Sequence, residues 1–175
     1  MDSTRKLIST IVNNETVTNP NGIATQESIR TFAFRHMLNL WPCYRGTGGR
    51  VTFISSDWRR VNVRLKLSLR TRNYVGTIFG GSLYGAIDPI YMLMLIRILG
   101  PAYVVWDKAA SIRFKKPGRG TLDAQFLVTE EEIATIRELS SQDKSIDRVY
   151  PVEFKDRDGQ VIASIDKTIY IKRRT

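Results

Sequence analysis

The segment from residue 83 to 99 is the feature that most constrains how this chain folds. Its middle part, residues 91–96, is apolar on every side of a helix. A helix that is apolar all round must be wrapped by other elements, so we predict a buried central helix here. Asp88 followed by Pro89 predicts a bend in that helix. These two residues and Arg97 interrupt the apolar run, which predicts that the segment does not span a membrane.

The rest of the sequence mainly predicts strands. In residues 59–69, valine and leucine alternate with basic and polar residues, which predicts a strand with one buried face and a basic outer face. Runs of this kind predict strands at residues 51–55, 59–69, 103–116, 122–129, 149–154 and 161–171. The last two form a hairpin around residues 156–159. The order of elements predicts an α+β fold in which an antiparallel sheet curls round one helix.

Two further helices are predicted outside the centre. One covers residues 26–41, with Thr25 as its N-cap and Pro42 at its end. Its apolar positions are Ile29, Phe32, Ala33, Met37 and Leu40. A second, short helix follows the capping-box pattern that begins at Thr129. Residues 46–49, which are mostly glycine, predict a flexible turn.

The length of 175 residues fits one domain, which we place at residues 25–175 after an N-terminal extension, residues 1–24. The single cysteine, Cys43, excludes an internal disulfide and a Cys-based zinc site, and the single histidine, His36, excludes multi-histidine metal centres. The net charge of +10 points to an anionic partner, which charge alone leaves open between nucleic acid, a membrane surface and a phosphorylated small molecule. Residues 7–12 are too short and polar for a signal sequence, so we expect a soluble, cytoplasmic protein.

The segment from Asn73 to Asp88 carries the residues best suited to chemistry. Gly80 and Gly81 begin the predicted central helix, where backbone N–H groups lack intrahelical acceptors and the helix adds positive potential. Such a place can hold a developing oxyanion. Asp88 lies a little over two turns further on, and a carboxylate in so apolar a helix is costly unless it is paired, hydrogen-bonded or functional. Asp88 is therefore our candidate general base.

Each of these residues also has a purely structural interpretation. Asp88 could bond to backbone groups that Pro89 leaves free. Gly80 and Gly81 could allow close packing of helix on sheet, and Asn73 could cap a turn. The sequence leaves these alternatives open.

This segment also resembles a known family, the hotdog-fold acyl-CoA thioesterases, and most closely those of the phenylacetic-acid-degradation type. The resemblance is carried by five residues at fixed spacing, Asn73, Phe79, Gly80, Gly81 and Asp88. The Pro- and Gly-containing turn at residues 117–121 adds to it. More narrowly, residues 76–89 together with 106–108 resemble a bacterial branch of hotdog proteins of unknown function. The resemblance implies a hotdog fold, in which an antiparallel sheet is wrapped round a central helix.

The resemblance further implies a homodimer or dimer of dimers, with active sites between subunits and with no metal or redox cofactor. In such a site the Gly80 N–H polarises a thioester carbonyl. Asp88 activates water or attacks directly, and Asn73 helps to hold the water. This chain departs from the family pattern at two positions, because Phe79 stands where histidine is usual and Met92 where many members carry Ser or Thr.

A CoA thioester is the substrate or ligand that the resemblance implies. The residues expected to bind it are Gly81, Phe79, Tyr84, Arg113, Lys115, Lys116 and Arg119. The last four form a basic cluster at a strand end, where the CoA phosphates would bind.

Three functions are compatible with these features. The first is an acyl-CoA thioesterase. The second is a non-catalytic acyl-CoA or acyl-lipid binding protein, which Phe79 and Met92 favour. The third is nucleic-acid binding, whose supporting features are the net charge and the aromatic residues Trp58, Trp106 and Tyr44. It ranks last, because the basic face of residues 59–70 carries no aromatic residue.

Overall fold

The computed structural model describes residues 18–20, 22–142 and 145–174. Most of the predicted N-terminal extension, residues 1–17, lies outside the described residues. Its end forms a turn in which the Asn19 N–H donates to the Ile23 carbonyl and the Asn19 side-chain Oδ1 accepts from the Ile23 N–H. Both Ile23 and Ala24 are buried. The domain boundary at residue 25 stays a prediction.

The strands form one sheet that is antiparallel throughout. They are β1 (Gly49–Ile54), β2 (Arg60–Lys66), β3 (Tyr103–Phe114), β4 (Thr121–Leu127), β5 (Ile146–Lys155) and β6 (Val161–Arg173). Their order across the sheet is β1-β2-β4-β5-β6-β3, so β1 and β3 are the edge strands. Every predicted strand is present, and the α+β prediction is confirmed.

The helices of the described residues are α1 (Ile29–Leu40), α2 (Pro42–Thr47), α3 (Gly80–Ile87), α4 (Ile90–Leu99) and α5 (Glu130–Leu139). Helices α3 and α4 together are the predicted central helix, joined at Asp88 and Pro89, which both keep helical backbone angles. By length and composition alone the span Gly80–Leu99 could cross a membrane, even though Asp88, Pro89 and Arg97 interrupt it. However, 50% of its most apolar window is buried inside the fold, as expected of a core helix.

The core lies between the sheet and the central helix. Buried residues of every strand belong to it, and the helical pair contributes Leu83, Ala86, Ile87, Ile90, Tyr91, Met94, Leu95 and Leu99. The alternation predicted on β2 is present, but the strand ends at Lys66 and Leu69 is exposed. The chain turns there because Thr71 donates a hydrogen bond to the Lys66 carbonyl and accepts one from the Ser68 N–H.

Helix α1 begins at Ile29, later than predicted, and Ser28 rather than Thr25 is its N-cap. The reason is a capping box: the Ser28 hydroxyl accepts from the Thr31 N–H, and the Thr31 hydroxyl accepts from the Ser28 N–H. Pro42 ends α1 as predicted, and it also begins α2.

The apolar positions predicted for α1 do not contribute to the core, since all five are exposed: Ile29, Phe32, Ala33, Met37 and Leu40. The side of α1 that faces the sheet instead carries Phe34 and Leu38, which pack against the core, and the polar residue Asn39. Asn39 exchanges hydrogen bonds with the N–H and C=O of Val51, both at 2.8 Å, and Glu27 accepts from the Ile54 N–H. Strand β1 is an edge strand, so its outer backbone groups need partners, and Asn39 and Glu27 supply them.

Residues 46–49 do not form the predicted flexible turn. Gly46 and Thr47 end α2, and Gly48 caps it in a left-handed conformation with φ of 81°. Gly49 begins β1 and lies so close to α3 that a Cβ added there would be 2.6 Å from the Ala86 Cβ. These glycines therefore end a helix and bring β1 against the central helix.

Candidate active site

The start of α3 presents free backbone donors. Ser82 and Leu83 both donate to the Phe79 carbonyl, whereas the N–H groups of Gly80 and Gly81 meet no acceptor among the residues that the structure describes. No side chain caps this helix end. The two donors and the positive end of the helix are what an oxyanion needs.

Close packing of helix on sheet does not account for the glycine pair. A Cβ added at Gly80 would be 2.9 Å from the tip of the Phe114 ring, and one at Gly81 would be 2.3 Å from the ring of Phe79. Both rings are exposed, so they can move aside. In contrast, the backbone of the central helix limits the space at Gly49.

The carboxylate of Asp88 is bound by a buried lysine. Its Oδ1 accepts a hydrogen bond of 2.8 Å from Lys167 Nζ, rather than one from the backbone near Pro89. The Lys167 side chain is 1% exposed, while that of Asp88 is 40% exposed. Asp88 therefore does not bond to the backbone groups that Pro89 leaves free. Lys167 binds one side of its carboxylate, and the other side is open to solvent.

Lys167 also pairs with a second carboxylate. Its Nζ lies 2.9 Å from Asp107 Oδ1 on β3, and the Tyr84 ring centroid is 5.3 Å away. One ammonium thus joins two carboxylates that come from the central helix and from the edge strand of the sheet.

The pKa shifts follow from this arrangement. Burial by itself lowers the pKa of Lys167, but the hydrogen bond to Asp88 and the nearby charges of Asp88 and Asp107 outweigh it, so the pKa lies above its usual value. Burial raises the pKa of Asp107, and Lys167 offsets only part of the effect. Burial also raises the pKa of Tyr84, and the nearby Asp88 carboxylate raises it further. Lys167 is therefore an ammonium ion at neutral pH.

Asp88 opens into an apolar groove between α1 and the central helix, which we call the Asp88 groove. Its volume is about 450 Å³. Its lining residues are Phe34, Met37, Leu38, Trp41, Cys43, Tyr44, Thr47, Gly85, Asp88, Pro89 and Leu93. Apart from the carboxylate, it offers mainly apolar surface to a ligand.

A second groove, also of about 450 Å³, runs along the start of α3 and is called here the Gly80 groove. Its lining residues are Asn73, Val75, Thr77, Ile78, Gly80, Leu83, Phe114, Lys115, Lys116, Pro117 and Gly118. The structure therefore places Asn73 and Gly80 along the same groove. It does not place Asp88 in the same groove of one chain.

Asn73 has a local structural role. Its Nδ2 donates to Thr77 Oγ1 at 2.9 Å, and its Oδ1 accepts from the Thr77 N–H at 3.0 Å. Both ends of the amide are thus engaged in closing the turn of residues 73–77, which is the turn interpretation that the sequence had left open.

The predicted phosphate-binding residues differ in their availability. Arg113 pairs with Asp166 at 3.2 Å, and Lys115 lies 3.7 Å from Glu153. Lys116 and Arg119 are exposed and form no ion pair within the described ranges, and Lys116 lines the Gly80 groove.

The basic face of β2 is less positive than its sequence suggests. Arg64 pairs with Asp123 on the neighbouring strand, and Arg59 points inward to the Val128 carbonyl and the Glu130 carboxylate. Tyr44 is buried and Trp58 packs edge-on against Phe34, so Trp106 is the exposed member of the three aromatic residues considered for nucleic-acid binding. No stacking platform forms among the described residues of this face.

Sequence reasoning missed Lys167, and it gave no role to Asp107, which lies within residues 106–108 of the family resemblance. The signal was present in β6, where Ile165, Lys167, Ile169 and Ile171 share the inward face. A lysine in such a series is costly without a partner, and this marks it as a candidate site residue.

These features define a class of protein. A six-stranded antiparallel sheet wrapped round a central helix is the hotdog fold. The chain belongs to the family described as a domain of unknown function, DUF4442, which matches residues 30–171. No curated protein matches the chain by sequence.

Several solved structures are similar to this one. A Pseudomonas aeruginosa protein of unknown function, PA5026, whose name reads "Probable Thioesterase", has a TM-score of 0.73 at 15% identity, over 85% of this chain and 99% of that one. The Haemophilus influenzae thioesterase HI1161 has a TM-score of 0.61 at 10% identity, over 84% and 93%. The E. coli PaaI protein from the phenylacetic acid degradation operon has a TM-score of 0.55 at 16% identity, over 86% and 96%. At these identities the likeness establishes the fold.

Proposed function

We propose that this protein is a thioester hydrolase that acts on an acyl-CoA. Asp88 is its general base or nucleophile, and the Gly80 N–H is its oxyanion donor. The observation that carries the proposal is the Asp88 carboxylate, which a buried ammonium binds while 40% of the side chain remains exposed at an apolar groove. The thioesterases among the structural neighbours agree with this chemistry.

The reaction can follow two courses. In the first, Asp88 takes a proton from water while the water oxygen bonds to the thioester carbonyl carbon. The carbonyl oxygen becomes an oxyanion, which the N–H groups at the start of α3 stabilise. The C–S bond then breaks, and the CoA thiolate takes the proton back from Asp88. In the second course, Asp88 bonds to the carbonyl carbon, the thiolate leaves, and water hydrolyses the resulting anhydride.

The proposal requires two copies of the chain. Because Gly80 and Asp88 line different grooves, a site that uses both combines the start of α3 from one copy with Asp88 of a second. Strand β3 favours such a homodimer, because it is a 12-residue edge strand that another strand can extend. Its Trp106 and Phe114 side chains are 63% and 59% exposed, which is typical of an interface.

The two grooves suggest which part of the substrate each of them binds. The Asp88 groove suits a hydrophobic acyl group, because its lining is mainly apolar. Lys116 in the Gly80 groove, together with the exposed Arg119, is available for the CoA phosphates. A cytoplasmic location is part of this proposal, because CoA thioesters are intracellular metabolites.

The test is hydrolysis of acyl-CoAs of graded chain length, followed by detection of free thiol. We expect wild-type turnover and a loss of about 100-fold or more in kcat for Asp88→Asn, the range that general-base catalysis supplies. Asp123→Asn is the matched control, because it makes the same chemical change on the outer face of the sheet, and it should keep wild-type activity. No hydrolysis of any chain length would contradict the enzyme, and unchanged activity in Asp88→Asn would contradict the mechanism.

A non-catalytic acyl-CoA or acyl-lipid binding protein is the second candidate function. It is favoured by Phe79, whose exposed ring lies against Gly81 and cannot form a hydrogen bond at the start of α3. This candidate predicts that CoA esters raise the melting temperature without release of thiol. Absence of any stabilisation at millimolar ligand would contradict it.

A further inference from the structure

Lys167 is charged at a position where the sheet otherwise places aliphatic side chains. Ile165 and Ile169, its neighbours on the same face of β6, are fully buried, and the Lys167 side chain is 1% exposed. Removing an ammonium ion from water costs several kcal/mol unless partners compensate for it. The partners are Asp88 and Asp107, and the question is what this arrangement does for the protein.

Three separate elements build the cluster. Lys167 Nζ lies 2.8 Å from Asp88 Oδ1 on the central helix and 2.9 Å from Asp107 Oδ1 on β3. The pairing of β3 with β6 shifts register between Asp107 and Ala109, and such a bulge re-aims side chains. The Tyr84 ring lies over the ammonium at 5.3 Å. Two carboxylates and one aromatic face thus hold the Nζ in one place.

Two other roles for Lys167 fit less well. As a protonated ammonium it has no lone pair, so it cannot attack a thioester. As a mere source of stability it is a poor choice, because replacing a buried ion pair with apolar residues is often neutral or stabilising by about 1–4 kcal/mol. Apolar residues in place of Lys167 and its two carboxylate partners would serve the core at least as well.

We infer that Lys167 is the positioning residue for Asp88. Its ammonium, anchored by Asp107, binds Asp88 Oδ1 and so directs the exposed part of the carboxylate into the Asp88 groove. This inference rests on the proposed function and adds to it the residue that orients the base.

The experiment compares single and double variants, because Lys167→Met alone leaves two carboxylates facing each other and can unfold the protein. Lys167→Met with Asp107→Asn leaves a single carboxylate, Asp88, which is partly exposed. We expect this double variant to fold and to bind substrate with a KM within about twofold of the wild-type value. We expect its kcat to fall about 100-fold, the cost of misplacing a reacting group by about 1 Å.

A matched control separates positioning from loss of stability. Ile169→Val removes one methyl group from the same buried face of β6, which costs about 0.5–1.5 kcal/mol, and should keep the wild-type kcat. An equal loss of kcat in Ile169→Val would overturn the inference, as would wild-type kcat in the double variant.

A crystal structure of the double variant gives a readout that does not depend on activity. If the wild type hydrolyses no thioester, the proposed function fails, and the position of the Asp88 carboxylate still tests Lys167. A carboxylate displaced from its wild-type position supports the inference. A carboxylate that keeps its position within about 0.5 Å, the tolerance of a preorganised site, overturns it.

Discussion

Replacing Gly49 with alanine should destabilise the fold, because the new methyl group meets atoms that cannot move aside. An added Cβ would lie 2.6 Å from the Ala86 Cβ and 3.0 Å from the Ala86 Cα. Carbon atoms in contact prefer about 3.5–4.0 Å, so β1 and α3 must separate by about 1 Å. Ala86 is fully buried and belongs to the helix that carries Asp88, so the separation disturbs the centre of the core.

The magnitude follows from two opposing effects. Overpacking a core lowers the free energy of unfolding by about 1–3 kcal/mol. Replacing a glycine restricts the unfolded chain and raises the same quantity by about 0.4–1 kcal/mol. We expect Gly49→Ala to lower the free energy of unfolding by about 1–2 kcal/mol, and the melting temperature by about 2–8 °C for a chain of this size. Thermal and urea unfolding followed by circular dichroism would measure both. A melting temperature equal to or above that of the wild type would refute the reasoning.

Gly80→Ala makes the same substitution at a position where we expect little change in stability but a loss of activity. The added Cβ would meet only the tip of the exposed Phe114 ring, at 2.9 Å, so the ring can swing away and stability should stay within about 0.5 kcal/mol of the wild type. The methyl group and the displaced ring would crowd the donor N–H, and kcat/KM should fall tenfold or more, about 1.4 kcal/mol. Wild-type kcat/KM in this variant would contradict the role of the helix start.

Three further predictions concern other parts of the chain. Burial favours a raised pKa for Glu132, but hydrogen bonds from Arg148 and Tyr150 outweigh it and lower the pKa below its usual value of 4.5. The cluster therefore adds stability above pH 4.5, and this stability is lost as the pH falls through the lowered pKa of Glu132. The melting temperature of Glu132→Gln should depend less on acid pH than that of the wild type. Cys43 is exposed and lines the Asp88 groove, so an acyl-CoA should slow its labelling by N-ethylmaleimide; equal rates would contradict the acyl site. Trp106→Arg on the edge of β3 should convert the proposed dimer into monomers in sedimentation velocity, and a monomeric wild type would contradict the dimer.

The centre of the fold could be predicted because its signal is unambiguous. A stretch such as residues 91–96, apolar on all sides, is expected to pack against the sheet, and alternating strands cover it by turning one face inward. Tyr91, Met94 and Leu95 are buried there, whereas Ile96 is 39% exposed. The bounds of the strands were less certain, because a side chain such as that of Thr71 can end a strand where the alternation continues.

Helix α1 shows where the same signal misleads. The apolar residues chosen for its core-facing side are exposed. Phe34 and Leu38 pack against the core instead, beside Asn39, which satisfies the backbone of an edge strand. Periodicity records which residues are apolar. It does not record which backbone groups elsewhere need a partner, because that depends on the order of strands in the sheet.

The candidate site was predictable where its residues are close in the sequence. The spacing within α3 was enough to select Gly80 and Asp88, whereas Lys167 lies 79 positions beyond Asp88 and meets it only through the packing of β6 on the helix. Its place among isoleucines marks it as unusual, but the sequence does not show which carboxylate lies opposite. Only the fold joins the two.

The cluster around Lys167 bears on the choice between hydrolysis and simple binding. A protein that only binds an acyl chain needs an apolar groove, and for that purpose a buried ammonium and two carboxylates are a cost that aliphatic residues would avoid. Asn73 is explained by its turn, so it adds little weight to either function. Asp88 has no such local explanation, because its partner, Lys167, lies on β6 and is distant in the sequence. Lys167 leaves part of the Asp88 side chain exposed to the Asp88 groove. This arrangement favours catalysis over binding even with Phe79 in place of a hydrogen-bonding residue.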